Sequence, residues 1–377
     1  MVSTAGDQSV EQPPLALPLL LGLAGLKLLI HLALSNRYGY FRDELYFLDC
    51  GRHLDWGYVD HAPFIGLLAR LALILGGALP VLRAISAVAG AGTVFLAGAL
   101  CWRLGGGRFA QGLAALLVLA TPVRLAIESI FTMNSWEPPV WLGAAYLVVR
   151  LVQTGRGTLW LALGALLGAG LMNKHSTAFF AVALAAGIVL TPLRAALRTR
   201  WPWLGVALAL ALFAPNLIWQ AVHGFPTLED LRNVARTGKN IVYGPLDFTV
   251  QQVLMAHPLL SPFWLAGLAW LLAGGRRRYN VLGITFLVFF ALMFAFKAKN
   301  YYLAPFYPIL AAGAGAGVAA ALDRWRLTRG RSWPRVAVAG YVAAAGALVA
   351  PIVLPLLPPE RYLPTRRPSA PHARRPR

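Results

Sequence analysis

The chain has 377 residues, 58% hydrophobic and only 13% charged, too little polar surface to cover a water-soluble globule of that size. Its formal net charge of +20 would suit a nucleic-acid binder. Most arginines, however, fall in short clusters between apolar runs, with no interleaved polar and aromatic surface for bases to stack on, so nucleic acid is excluded as a partner and a lipid bilayer is the natural solvent.

A hydrocarbon core of about 30 Å takes roughly 20 apolar residues as helix, and such runs recur along the chain. Residues 1–13 read as a disordered N-terminus. The first run, 15–34, has no basic region before it and no small-residue cleavage site after it, so it reads as a retained span rather than a signal peptide. Residues 35–60 follow as a polar, aromatic external loop, dense in carboxylates and helical. The amphipathic stretch 61–75 is expected along the membrane interface. Further spans are expected at 79–102, 109–125, 136–152, 159–173, 177–193, 204–222, 259–273, 281–296, 301–322 and 336–356, about eleven in all. The fold class is therefore an all-α polytopic transmembrane bundle over residues 14–356, followed by a disordered Pro/Arg-rich tail, 357–377.

Alternating sides from a cytoplasmic N-terminus places Arg103 with Arg108, Arg150 with Arg156, the group Arg194, Arg198 and Arg200, the run Arg276 to Arg278, and the cluster from Arg324 to Arg335 on the inner face. The same alternation sends Asp43, Glu44, Asp49, Asp55, Asp60, Glu128, Glu137, Glu229, Asp230 and Asp247 outward. Two external loops, 35–60 and 223–257, are long enough to carry chemistry, which is expected on the outer face. Cys50 and Cys101 fall on opposite sides and cannot bridge.

Three signals mark that face. In the loop Arg37-Tyr-Gly-Tyr-Phe-Arg-Asp-Glu-Leu-Tyr46, adjacent Asp43 and Glu44 point in different directions on a helix, so one can face a cavity while the other holds a cationic or backbone partner. That suits a catalytic carboxylate acting as base on a hydroxyl, with a supporting carboxylate beside it. The bland alternative, acids that only solvate a loop, is the better reading for Asp49 and Asp55. Second, Arg42, Lys174, Lys297 and Lys299 sit at outer span ends against the positive-inside trend. Cations at that depth need an anion, and a lipid phosphate supplies one; snorkelling to ordinary headgroups is the alternative for any single one, less so for several on one face. Third, Phe131-Thr-Met-Asn-Ser-Trp-Glu-Pro138 puts Asn134 and Glu137 at the outer start of a span, where they could bind sugar hydroxyls or merely cap a helix. Asp60 beside His61 could hold a divalent metal ion with a distant residue such as His257. No HExxH or Walker A spacing occurs.

The run YGYFRDELYFLDCGRHLDWGYVDHAPFIGLLARL resembles the first external loop of bacterial GT-C glycosyltransferases of family 39, the protein-mannosyltransferase and aminoarabinose-transferase group. FTMNSWEPPVW, LMNKHSTAFF and KAKNYYLAPFYPIL resemble later stretches of the same group, in the same order. The resemblance implies a transferase of the cytoplasmic (inner) membrane, active on its periplasmic face. It would take sugar from a polyprenyl-phosphate donor, with inversion, and pass it to a glycolipid, polysaccharide or protein. Its catalytic acid maps to Asp43 with Glu44 beside it. Lys297, Lys299, Arg42 and Lys174 become donor-phosphate ligands. Asp60, His61, Asn134, Glu137 and Tyr301 become acceptor or sugar contacts. The acidic-x-x-Pro feature maps to Asp60-His61-Ala62-Pro63, with one proline where many relatives have two. Relatives usually continue into a soluble external domain, so a shortened inactive member is one alternative reading; a transporter or lipid flippase is another.

Overall fold

Runs rich in Leu and Ala, which lose little side-chain entropy in a helix, wind into helices that satisfy their own backbone hydrogen bonds. The computed structural model describes residues 12–237, 241–274, 277–325 and 331–357, and these contain no strand. Most of both expected terminal tails lies outside the described residues. In chain order the helices are α1 (Leu17–Leu34), α2 (Arg42–Arg52), α3 (Phe64–Ile74), α4 (Leu79–Arg103), α5 (Arg108–Ala120), α6 (Pro122–Ile127), α7 (Glu137–Thr154), α8 (Leu159–Asn173), α9 (Ser176–Val189), α10 (Arg200–Val222), α11 (Pro226–Thr237), α12 (Pro245–Ala256), α13 (Ser261–Ala273), α14 (Asn280–Ala295), α15 (Tyr307–Arg324) and α16 (Trp333–Val353).

Among the described residues, five helical stretches suffice by length and apolarity to cross a bilayer: α1, α4, α10, α15 with the 3-10 turn before it, and α16. Two bent pairs raise this to seven: α9 with Pro192–Arg198, turned by 101°, and α12 with Pro258–Ala273, turned by 92°. Reaching about eleven crossings requires α5, α7, α8 and α14 to cross as well.

Proline sets two departures from the apolar pattern. The expected span 109–125 is two helices, because Pro122 has no N–H to donate and Thr121 before it is extended (φ −73°, ψ 119°). The loop 223–257 is mostly helical, holding α11 and α12.

The core lies where α1 meets α4, α5 meets α15, α8 meets α10, and α13 meets α15. Glycines let two of these pairs close: a side chain at Gly164 would strike the Gly205 carbonyl, and one at Gly267 the Leu310 carbonyl. Amphipathic α3 buries Ile65, Ala69 and Ala72 against Phe47, Leu82 and Phe131, and leaves Leu67, Leu71 and Ile74 exposed. That exposed stripe fits an interfacial helix.

The helix ends sort by charge. Gln153, at the end of α7, donates to the Arg103 carbonyl at the end of α4 and to the Tyr279 hydroxyl beside α14, so these termini share one face. Asp43, Arg83, Glu137, Lys174 and Tyr301 lie at the opposite helix ends.

Candidate active site

The first turn of α2 carries Asp43 and Glu44, and the structure separates their surroundings completely. Glu44 is fully buried. Its Oε1 accepts from Arg83 Nε at 2.9 Å and from the Phe131 N–H at 2.8 Å; its Oε2 accepts from Arg83 Nη2 at 2.9 Å and from the Phe41 N–H at 2.8 Å. Four donors use up the carboxylate's accepting positions, so Glu44 positions the loop and does not reach a substrate in this geometry. Arg83 extends the same clamp, donating also to the carbonyls of Ser35, Arg37 and Gly39. Asp43, about 100° further round the helix, keeps 43% of its side chain exposed and, among the described residues, has the neighbouring Arg42 Nε, 2.9 Å away, as its ion-pair partner. Arg42 itself projects into solvent.

A second group forms at the α7–α8–α9 junction. Lys174 ends α8 in an extended conformation, and its ammonium donates to Glu137 Oε2 at 2.9 Å and Asn134 Oδ1 at 2.7 Å. The Ser176 hydroxyl donates to Glu137 Oε1. Lys174 Nζ also lies 4.3 Å from the Tyr302 ring centre and 5.8 Å from that of Tyr301. The anion expected beside Lys174 is thus already present as Glu137, and both Glu137 and Asn134 are occupied by Lys174.

Residues 60–219 match the family described as dolichyl-phosphate-mannose-protein mannosyltransferase. The fold is similar to that of ArnT from Cupriavidus metallidurans bound to undecaprenyl phosphate, with TM-score 0.66 and 18% identity over 89% of this chain and 65% of that one. The apo form of the same ArnT gives 0.67 and 19% over 89% and 64%. The chain shares the ArnT fold, and its family match runs over residues 60–219, fewer than half of its residues. An oligosaccharyltransferase from Archaeoglobus fulgidus, in complex with zinc and sulfate, is similar at TM-score 0.57 and 16% identity over 88% and 52%. No curated protein sequence matches the chain. This chain spans slightly under two thirds of the ArnT chain, at 65%.

Within this fold, the other residues singled out from sequence fall into separate places. His61 is buried under Tyr46, Phe47 and Tyr58; its Nδ1 donates to the Ala62 carbonyl at 2.8 Å, and its Nε2 faces Cys50 Sγ at 3.7 Å and Asp60 Oδ1 at 3.9 Å. Burial pushes its pKa below the usual imidazole value, so it is neutral and touches no solvent-borne sugar here. Burial likewise raises the Cys50 thiol to about 11, which keeps it from acting as a nucleophile. Asp60 is exposed and accepts from the Tyr46 hydroxyl at 2.8 Å. Lys297 is exposed at the end of α14 with a left-handed φ of 51°, and Lys299 is partly buried, just before Tyr301.

The divalent-ion site considered for Asp60, His61 and His257 does not assemble. His257 donates to the Ala345 carbonyl at 3.0 Å and accepts from the Leu259 N–H, so it is committed away from Asp60 and His61. Among the described residues no three His, Cys, Asp or Glu side chains converge.

Sequence reasoning missed a third polar group. Glu128, read as facing outer water, is fully buried: Lys27 Nζ of α1 lies 2.6 Å from Oε2, and the Arg124 guanidinium pairs with Oε1. His31 is buried beside them, its Nδ1 3.3 Å from Ser129 Oγ. The signals were a lysine inside the first apolar run and an Arg/Glu pair at helical spacing across residues 124 and 128. Arg83, the partner of Glu44, was missed for the same reason.

Proposed function

We propose that this chain moves a sugar from a polyprenyl-phosphate donor to a hydroxyl acceptor at the outer face of the membrane, inverting the anomeric centre. The observation that carries the reading is Asp43: an accessible carboxylate on a helix turn locked by Glu44 and Arg83. Asp43 takes the acceptor's hydroxyl proton while the oxygen attacks the anomeric carbon, and polyprenyl phosphate leaves on the opposite side. Lys297 and Lys299, on the segment leading into Tyr301, stabilise the charge that grows on the leaving phosphate, with Arg42 at the rim. Lys174, held by Glu137 and Asn134, orients Tyr301 and Tyr302 rather than meeting phosphate first. Asp60 is the exposed loop carboxylate left for an acceptor hydroxyl. ArnT, which shares the fold, binds undecaprenyl phosphate, and an apolar cavity of about 430 Å³ between α8, α9 and α10 offers room for such a chain. It reaches Leu171 and Ala178, on either side of Lys174.

A transporter is the second reading, favoured by one observation: Lys27, Arg124 and Glu128 are ionisable groups sealed among helices, as in ion and substrate pathways. Membranes containing the chain are given labelled polyprenyl-phosphate sugar, and sealed vesicles are assayed in parallel for solute uptake. Label in a new glycoside supports the transferase; uptake with no glycoside formed rejects it.

A further inference from the structure

The end of the bundle opposite Asp43 holds a cavity of about 610 Å³ that the proposed transfer does not use. It lies where α7 ends, where the chain turns by 101° after α9, and where α14 begins. Asn280 opens α14, whose 16 residues carry the chain about 24 Å toward Lys297, so this cavity and the candidate active site are separated by nearly a bilayer core.

The lining is two-sided. Arg277, Arg278, Thr191 and Asn280 supply polar groups, and Leu193 and Val281 belong to an apolar wall. Both arginines are exposed, and among the described residues no carboxylate forms an ion pair with either. The carboxylate nearest in kind, Asp323 at the end of α15, is already held by Arg335 at 2.9 Å. No side chain caps α14 at Tyr279, so the positive end of its helix dipole adds to the two guanidinium groups. The floor is fixed: Gln153 donates to the Tyr279 hydroxyl at 3.0 Å, and the Arg278 guanidinium sits 5.9 Å from the Tyr279 ring centre.

Two uncompensated cations ask for an anion, and the apolar wall asks for something the anion carries. A free inorganic ion meets only the first demand. A zwitterionic headgroup brings its own cation toward the arginines. An anionic phospholipid meets both demands, with phosphate at the membrane surface and an acyl chain running along the helices. We propose that this cavity binds one anionic glycerophospholipid, its phosphate on Arg277 and Arg278 and an acyl chain against Leu193 and Val281.

The test uses the full chain in detergent, with bound lipid counted by native mass spectrometry after incubation with phosphatidylglycerol or phosphatidylcholine. Parent protein is expected to retain phosphatidylglycerol in preference to phosphatidylcholine. Arg277→Gln combined with Arg278→Gln is expected to weaken that retention about tenfold or more, while Arg108→Gln, on the same face but outside the cavity, leaves it unchanged. Leu193→Trp fills the wall without altering charge, and is expected to weaken lipid retention with both arginines intact. Gel-filtration profiles matching the parent show that each variant is folded, and the double Arg→Lys variant, which keeps both charges, serves if the Gln pair fails to fold: it should keep most of the lipid. Retention in the Gln pair equal to that in Arg108→Gln means the basic rim acts diffusely and overturns the proposal. Displacement of the lipid by inorganic phosphate, with Leu193→Trp without effect, means a phosphate site only and overturns it equally.

Discussion

The two ends of the bundle hold opposite charge in opposite ways. At the Asp43 end, carboxylates are sealed against cations: Glu44 on Arg83, Glu137 on Lys174, Glu128 on Lys27 and Arg124. At the other end Arg108, Arg277 and Arg278 stand exposed, and Asp323 is the carboxylate found among the described helix termini there. A desolvated pair fixes geometry, because removing one partner strands the other in a low dielectric. An exposed arginine fixes little locally and acts through the membrane field instead. Charge is therefore paired and buried at one end and exposed at the other.

The sharpest break between the ends should appear in stability. Glu44→Ala leaves the buried Arg83 guanidinium without its carboxylate and the Phe41 and Phe131 N–H groups without acceptors. It is expected to cost about 3–5 kcal/mol, read by thermal unfolding in a fixed detergent; a loss below about 1 kcal/mol, the value of an exposed pair, would erase the distinction. His61 gives a smaller, pH-dependent effect. Its folded pKa is depressed by burial, so as pH falls below the ordinary value of 6.5 the unfolded chain takes up a proton that the folded chain refuses. Stability attributable to His61 is complete above that pH and falls below it, by at most about 1.4 kcal/mol per pH unit. His61→Gln should flatten the acid limb of a melting-temperature profile relative to the parent, and an unchanged slope would contradict the buried neutral imidazole. Smallest of all, Arg108→Gln at the basic end should shift stability by no more than about 0.5 kcal/mol.

The apolar runs and the one-sided arginines made the helical bundle and its polarity legible from sequence, since each depends on residues close together in the chain. The helix in the first loop was expected too, whereas the break at Pro122 was read as part of one span, 109–125, although the proline that causes it is local. Partners did not show. Glu44 and Arg83 are 39 residues apart, Glu137 and Lys174 37, and Lys27 and Glu128 101, so each pairing exists only once helices have packed. Asp43 and Glu44 look alike in sequence; only the arrival of α4 and the Phe131 strand of backbone decides which carboxylate is sealed and which stays open. His61 illustrates the converse. Its position beside Asp60 suggested an exposed ligand pair, and the aromatic side chains of α2 and Tyr58 closed over it.

Of the adjacent pair on the first turn of α2, Asp43 is the carboxylate left open. Asp43→Asn keeps the shape of that side chain and removes its ability to accept a proton, so sugar transfer from a polyprenyl-phosphate donor should fall by about 10²–10⁴-fold or more while membrane insertion and melting temperature stay at parent values. Parental transfer by that variant would contradict the account.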